Sequence, residues 1–148
     1  MAEPYEQGVD VTTPIDILHC VVVTPEETAL QASAEFVSLP LYDGEIGVAP
    51  HHTPLIGRLG YGELRIREGD KTTRYYVDGG FVQVADNVVS ILTGSAIPAD
   101  QLDEEVAAEQ LSAARERKAN TPELLEIRER LQSQARAQLR LARRVKGQ

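Results

Sequence analysis

The chain has no tryptophan, one cysteine, one methionine, five tyrosines and two phenylalanines in 148 residues. With so few rings the core has to be aliphatic, because aromatic side chains otherwise supply much of the buried area. Cys20 alone cannot close an internal disulfide, which fits a reducing compartment. Long apolar runs are lacking as well. The run from Cys20 to Val23 falls far short of the roughly 18 residues that a membrane span needs. No charged-then-apolar leader opens the chain, so no signal peptide is expected. Chemistry-bearing patterns are missing too. No Lys-Ser/Thr follows the glycines of residues 44–47, which excludes a P-loop, and Ser38, Ser90 and Ser95 stand in no Gly-x-Ser-x-Gly elbow. His51 and His52 have no Cys-x-x-Cys or His-x-x-x-His to complete a zinc set. Cys20 sits inside its apolar run and reads as core, not as a nucleophile. No catalytic residue and no metal ligand is assigned, and an enzyme ranks behind a binding protein.

Positive charge is scarce in the first two thirds. Residues 1–100 carry 5 basic and 15 acidic side chains, a balance of −10, which argues against a nucleic-acid partner. Residues 101–148 carry 10 basic and 8 acidic side chains, a balance of +2. From Leu131 onward there are five basic residues and no acidic one, so the tail suits an acidic partner.

The stretch from Tyr42 to Leu55 is the most heavily shaped part of the chain. Two glycines there permit positive φ, and Pro50 and Pro54 remove donors and forbid a helix interior. Such a loop on a rigid scaffold suits recognition. Residues 1–13 are polar and aperiodic and read as a disordered arm. Residues 14–98 hold short apolar segments separated by Gly, Asp or Asn, as in an all-β sandwich or barrel. The first strand is expected to turn Ile15, Ile17, Val21 and Val23 to one face.

After Pro98 the period becomes helical, and residues 99–148 read as an antiparallel two-helix hairpin; the fold class is α+β. Asp100 is the expected first N-cap, with Leu102, Val106, Ala107, Leu111 and Ala114 forming the apolar stripe. Asn120, Thr121 and Pro122 break the first helix and start a second that runs to about Arg144. Its expected stripe is Leu124, Ile127, Leu131, Ala135 and Ala142, and such alanine-rich stripes predict weak docking. Arg136, Arg140, Arg143 and Arg144 fall on one helical face, where their planar forks suit carboxylates.

Several of these strings carry a resemblance. Gly44-Glu45-Ile46-Gly47-Val48-Ala49-Pro50-His51-His52-Thr53-Pro54-Leu55 resembles the signature of the epsilon subunit of bacterial rotary F-type ATP synthases. Residues 79–84 and 87–92 resemble a second signature, Leu102-Asp103 resembles the start of the family's hairpin, and the likeness runs from about Asp16 to the C-terminus. It implies an antiparallel sandwich of about ten strands and a non-catalytic rotor subunit that joins gamma to the ring of c subunits. Such a subunit lies on the cytoplasmic side of the bacterial plasma membrane and reaches the membrane only through the complex. Glu45 would face the c-ring and His52 would lie near gamma. The hairpin would regulate hydrolysis, with Arg136, Arg140, Arg143 and Arg144 docking on the catalytic alpha/beta hexamer. Many members carry an Asp-x-x-Arg in the hairpin, associated with bound ATP. Here Asp103 matches and Val106 replaces the Arg, so no cofactor is assigned. The alternative is a free-standing sandwich module with a helical tail for self-association.

Overall fold

The computed structural model describes residues 16–147, and the expected arm over residues 1–13 lies outside them. Eight strands come first: β1 (Leu18–Val23), β2 (Thr28–Ala34), β3 (Phe36–Leu41), β4 (Gly44–Val48), β5 (Leu55–Glu68), β6 (Lys71–Ala85), β7 (Val88–Leu92) and β8 (Ala96–Pro98). A 3-10 turn over Ala99–Gln101 leads into helices α1 (Glu104–Glu116) and α2 (Pro122–Lys146).

The strand order is β2-β1-β7-β6-β5-β3-β4, with β8 also paired to β6. Eight strands stand where ten were expected, and the reason lies in β5 and β6. These two pair in one register from Leu55↔Val84 to Glu68↔Lys71, interrupted only at Gly60 and Gly79. The C-terminal part of β6 joins β7, whereas Tyr75–Val77 joins β8; Arg65–Arg67 of β5 joins β3. Each long strand therefore serves both layers of the sandwich, and dividing both at the bend gives ten segments. The glycines read as separators, Gly57, Gly60, Gly62, Gly79 and Gly80, lie inside these strands. Gly80 shows why: its φ is +111°, and a Cβ there would run into the Leu92 carbonyl oxygen. One pairing is not antiparallel, because β1 and β7 run parallel.

Alternation places Leu18, Cys20 and Val22 of β1 in the core, one residue out of phase with the expectation. In an otherwise apolar segment only His19, exposed on the side of Val21 and Val23, signals the phase. Pairing with β2 and β7 selects it. Val37, Leu39, Leu64, Val77, Val84 and Ile91 fill the space between the layers, and this core is aliphatic as expected. The β6–β7 hairpin turns at Asp86 and Asn87, both at positive φ, the geometry that suits the sheet's twist.

The helix starts are set by side-chain caps. Asp103, not Asp100, caps α1 by accepting from the Glu105 and Val106 amides, and Asp100 falls in the preceding 3-10 turn. Thr121 caps α2 through the Leu124 amide with Pro122 in the first turn. The α2 stripe is broader than expected because the helix has two neighbours. Ala135 and Leu139 meet Ala107 and Leu111 of α1, while Ala137 and Leu141 meet Tyr76 on the sandwich and Ala99 in the 3-10 turn. Leu124, Ile127 and Leu131 are only partly covered.

Candidate interaction surfaces

The stretch from Tyr42 to Leu55 is not one loop. Residues 44–48 form β4, registered on β3 with Glu45 opposite Pro40, and only residues 49–54 are a true connection. Glu45 is exposed and accepts from Arg65 Nη2 at 3.2 Å. His51 takes φ +67°, and its amide donates to Asn87 Oδ1 at 2.6 Å while its ring meets the Asp16 carboxylate. The His52 ring meets the Thr53 carbonyl oxygen at 2.7 Å. The two imidazoles thus engage different partners, and among the described residues no group of three or more His, Cys, Asp or Glu assembles.

One outer face of the sandwich is bare. Ile56, Phe81 and Leu92 are 77%, 59% and 55% exposed, and Arg58, opposite Phe81, stacks on the exposed Tyr42 with its guanidinium carbon 4.4 Å from the ring centroid. Phe81 in turn stands opposite Leu92 in register. A contiguous apolar patch of this kind marks a contact surface. The sequence reading passed over it, although the signal was there: β5 to β7 carry apolar residues on the face that alternation assigns to water.

The other outer face is covered by α2. Tyr76 is fully buried, and its hydroxyl donates to Asp78 Oδ1 at 2.8 Å, to which Gln134 Nε2 also donates at 2.9 Å. Burial pushes the Tyr76 hydroxyl far above its ordinary range, and the Asp78 carboxylate adds to the shift. Beside it lies Glu63, 7% exposed, which accepts from Arg144 Nη1 at 2.6 Å. The four tail arginines therefore do not act as one stripe in this conformation. Arg144 ties α2 to the sandwich and Arg143 ties it to Glu104 of α1 at 3.0 Å. Arg136 and Arg140 are exposed and form no ion pair among the described residues.

An open groove lies where the start of α1 meets the end of α2. Asp100, Asp103, Glu104 and Glu105 line it against Lys146, and Asp103 is already engaged as the cap. Val106 is 47% exposed and brings no cation. Four carboxylates to one ammonium do not fit a triphosphate.

The fold is matched by known proteins. The family described as ATP synthase, Delta/Epsilon chain, beta-sandwich domain matches residues 17–99, which is more than half of the chain. The chain belongs to this ATP synthase delta/epsilon family. It is 50% identical over 126 residues to the ATP synthase epsilon chain of Rhodopirellula baltica, covering 85% of this chain and 98% of that one. It is 36% identical over 131 residues to that of Nitratidesulfovibrio vulgaris, covering 88% and 96%. Among solved structures, a chain of the Euglena gracilis mitochondrial ATP synthase (OSCP/F1/c-ring, rotational state 1) aligns with a TM-score of 0.67 at 25% identity, covering 99% of this chain and 94% of that one. A chain of the Tetrahymena thermophila central stalk and c-ring aligns with the same TM-score at 15% identity and supports the fold alone. Like other epsilon chains, this one is a subunit of the synthase, and among the described residues no helix is long and apolar enough to cross a membrane.

Proposed function

We propose that the chain is the non-catalytic central-stalk subunit that couples gamma to the c-ring of a proton-translocating F-type ATP synthase and restrains ATP hydrolysis through its hairpin. The observation that carries this reading is the contrast between the two outer faces. One buries its apolar side chains under the chain's own α2, through Tyr76, Ala99, Ala137 and Leu141. The other leaves Ile56, Phe81 and Leu92 to water. The bare face and the adjoining His52 take gamma. The β4 edge with Glu45 takes the polar loops of the ring. The hairpin, once lifted, presents its arginines to carboxylates of the catalytic alpha/beta hexamer. The complex then holds the subunit on the cytoplasmic side of the bacterial plasma membrane.

The test compares assembled complexes carrying the intact chain, a chain truncated after Pro98, and the Arg136→Ala/Arg140→Ala variant. These two arginines are the informative pair because neither forms an ion pair in the docked hairpin among the described residues, so their loss should fall mainly on the extended state. Both altered complexes are expected to assemble normally and to hydrolyse ATP faster, with high salt partly mimicking the arginine change. Equal hydrolysis by all three across nucleotide and salt conditions would show that the hairpin is no brake. Failure of the chain to co-purify with a membrane ATPase would instead favour a free-standing module.

A further inference from the structure

Glu63 sits in the middle of β5 on the face that α2 covers, and three arginines surround its carboxylate. Arg144 Nη1 of α2 makes the close contact, at 2.6 Å to Oε1. Arg65 Nη1 lies 3.8 Å from the same oxygen, and Arg74 Nη1 lies 3.7 Å from Oε2. Neither of these two distances is a hydrogen bond. Oε2 and Arg74 Nη1 are both buried without a hydrogen-bond partner among the described residues, although a few tenths of an ångström separate them from one another's reach. Arg65 is shared further: its Nη2 reaches Ser38 Oγ at 3.1 Å and Glu45 Oε1 at 3.2 Å. The result is a continuous chain of charges, Glu45–Arg65–Glu63–Arg144, from the exposed β4 edge to the last turns of α2.

We propose that Glu63 is the catch of a latch that holds the hairpin on the sandwich, and that Arg65 makes the catch responsive to whatever engages Glu45. A buried carboxylate whose cationic partner is removed is normally left uncompensated, at high cost. Here Arg65 and Arg74 belong to the sandwich and remain beside Glu63 when α2 lifts. Their present distances leave each room to close in once Arg144 has gone, so Arg144 can leave without stranding the charge. The same reserve couples the two ends. A cationic group that takes Glu45 releases Arg65, which moves onto Glu63 and displaces part of the hold of Arg144. The catch is a statement about the isolated chain. Only its link to the ring rests on the reading of Glu45 above.

Hydrogen exchange of the α2 amides in the full-length isolated chain tests it, with β1 and β7 amides as the measure of global opening. Arg144→Ala is expected to lower α2 protection about tenfold or more, the loss of one hydrogen bond between charged groups, while β1 and β7 stay protected. Glu63→Gln should do the same, and the double variant should lose little beyond either single one. Glu45→Gln, which frees Arg65, should reduce α2 protection and shrink the effect of Arg144→Ala in its background, and should do so equally in an Arg140→Ala chain, since Arg140 of α2 lines the same cleft as Glu45. Additive effects of Glu63→Gln and Arg144→Ala, or unchanged α2 protection in Arg144→Ala, overturn the catch. Unchanged or increased protection in Glu45→Gln overturns the coupling. If Glu63→Gln opens the whole sandwich, Arg144→Lys decides: partial recovery of α2 protection relative to Arg144→Ala supports the catch, and none refutes it. A ring that fails to bind Glu45 would leave all of these outcomes as they are.

Discussion

Three residues owe their behaviour to their immediate surroundings. Gly80 bends β6 from one layer into the other at φ +111°, with the Leu92 carbonyl where a Cβ would stand. Gly80→Ala should destabilise the isolated chain by more than the roughly 1–3 kcal/mol of backbone strain alone, because a backbone atom cannot move aside as a side-chain tip can. Urea unfolding measures it, and stability near wild type would mean that the bend survives without glycine. Cys20 is enclosed by β2 and β7, and burial pushes its thiol up to about 12. Thiolate is the reactive form, so iodoacetamide at about pH 8 should leave the folded chain unmodified and label it in urea. Val106, half-exposed, follows directly in sequence on Glu104 and Glu105, whose side chains line the groove of carboxylates. Calorimetry of the free chain with MgATP should give millimolar binding or none, and Val106→Arg should strengthen it roughly tenfold, the worth of one charge-assisted hydrogen bond to phosphate. Micromolar binding by the unaltered chain would contradict the charge argument.

Among the elements, the helices were the more legible. Thr121 and Pro122 announced α2 because a cap and a first-turn proline act locally, and both appear where expected. Asp100 was mistaken for Asp103 because a 3-10 turn intervenes, and nothing local in the sequence distinguishes two aspartates three residues apart. The strands were legible as segments but not as elements. Gly60 and Gly79 look like turn residues, and only the unchanged register of β5 and β6 on either side of them shows that they interrupt two long strands without ending them. Glu63 was invisible as a site because its three arginines come from positions 65, 74 and 144. The hairpin also has an acid-sensitive clamp. The Arg143 hydrogen bond, followed by the charge of Lys146, holds the Glu104 carboxyl below its usual range. A folded-state value below the unfolded one means stability that is present above the ordinary carboxylate range and lost as pH falls through the folded value. Exchange protection of α1 should therefore hold from neutrality to about pH 5 and decline in stronger acid. Glu63 and Asp78 also face α2, so Glu104→Gln is the control that isolates the clamp. A decline of the same size in that variant would assign the effect to the other two carboxylates.

At the scale of the whole molecule, the sandwich is asymmetric, and the asymmetry predicts which damage spares the fold. Substitutions on the covered face disturb packing within the chain, because Tyr76 and α2 depend on each other there. Substitutions on the bare face do not. Phe81 is 59% exposed between Arg58 and Leu92, and in a chain with only two phenylalanines its placement on the surface favours contact over core. Phe81→Glu should change the unfolding free energy of the isolated chain by only about 0.5 kcal/mol, as exposed substitutions do. Assembly is another matter. Burying a phenylalanine against a partner contributes about 1.5–3 kcal/mol, and a glutamate in its place forfeits that and has to lose its water, a cost that the cross-strand Arg58 offsets only in part. Affinity for the gamma subunit should fall roughly a hundredfold or more, a loss that size-exclusion chromatography of the mixed subunits would register. Arg136→Ala, on the far side of the chain, should leave that complex intact. Undiminished binding of gamma by Phe81→Glu would mean that the bare face is not the one the rotor uses, and the His52 loop would then have to carry the contact alone.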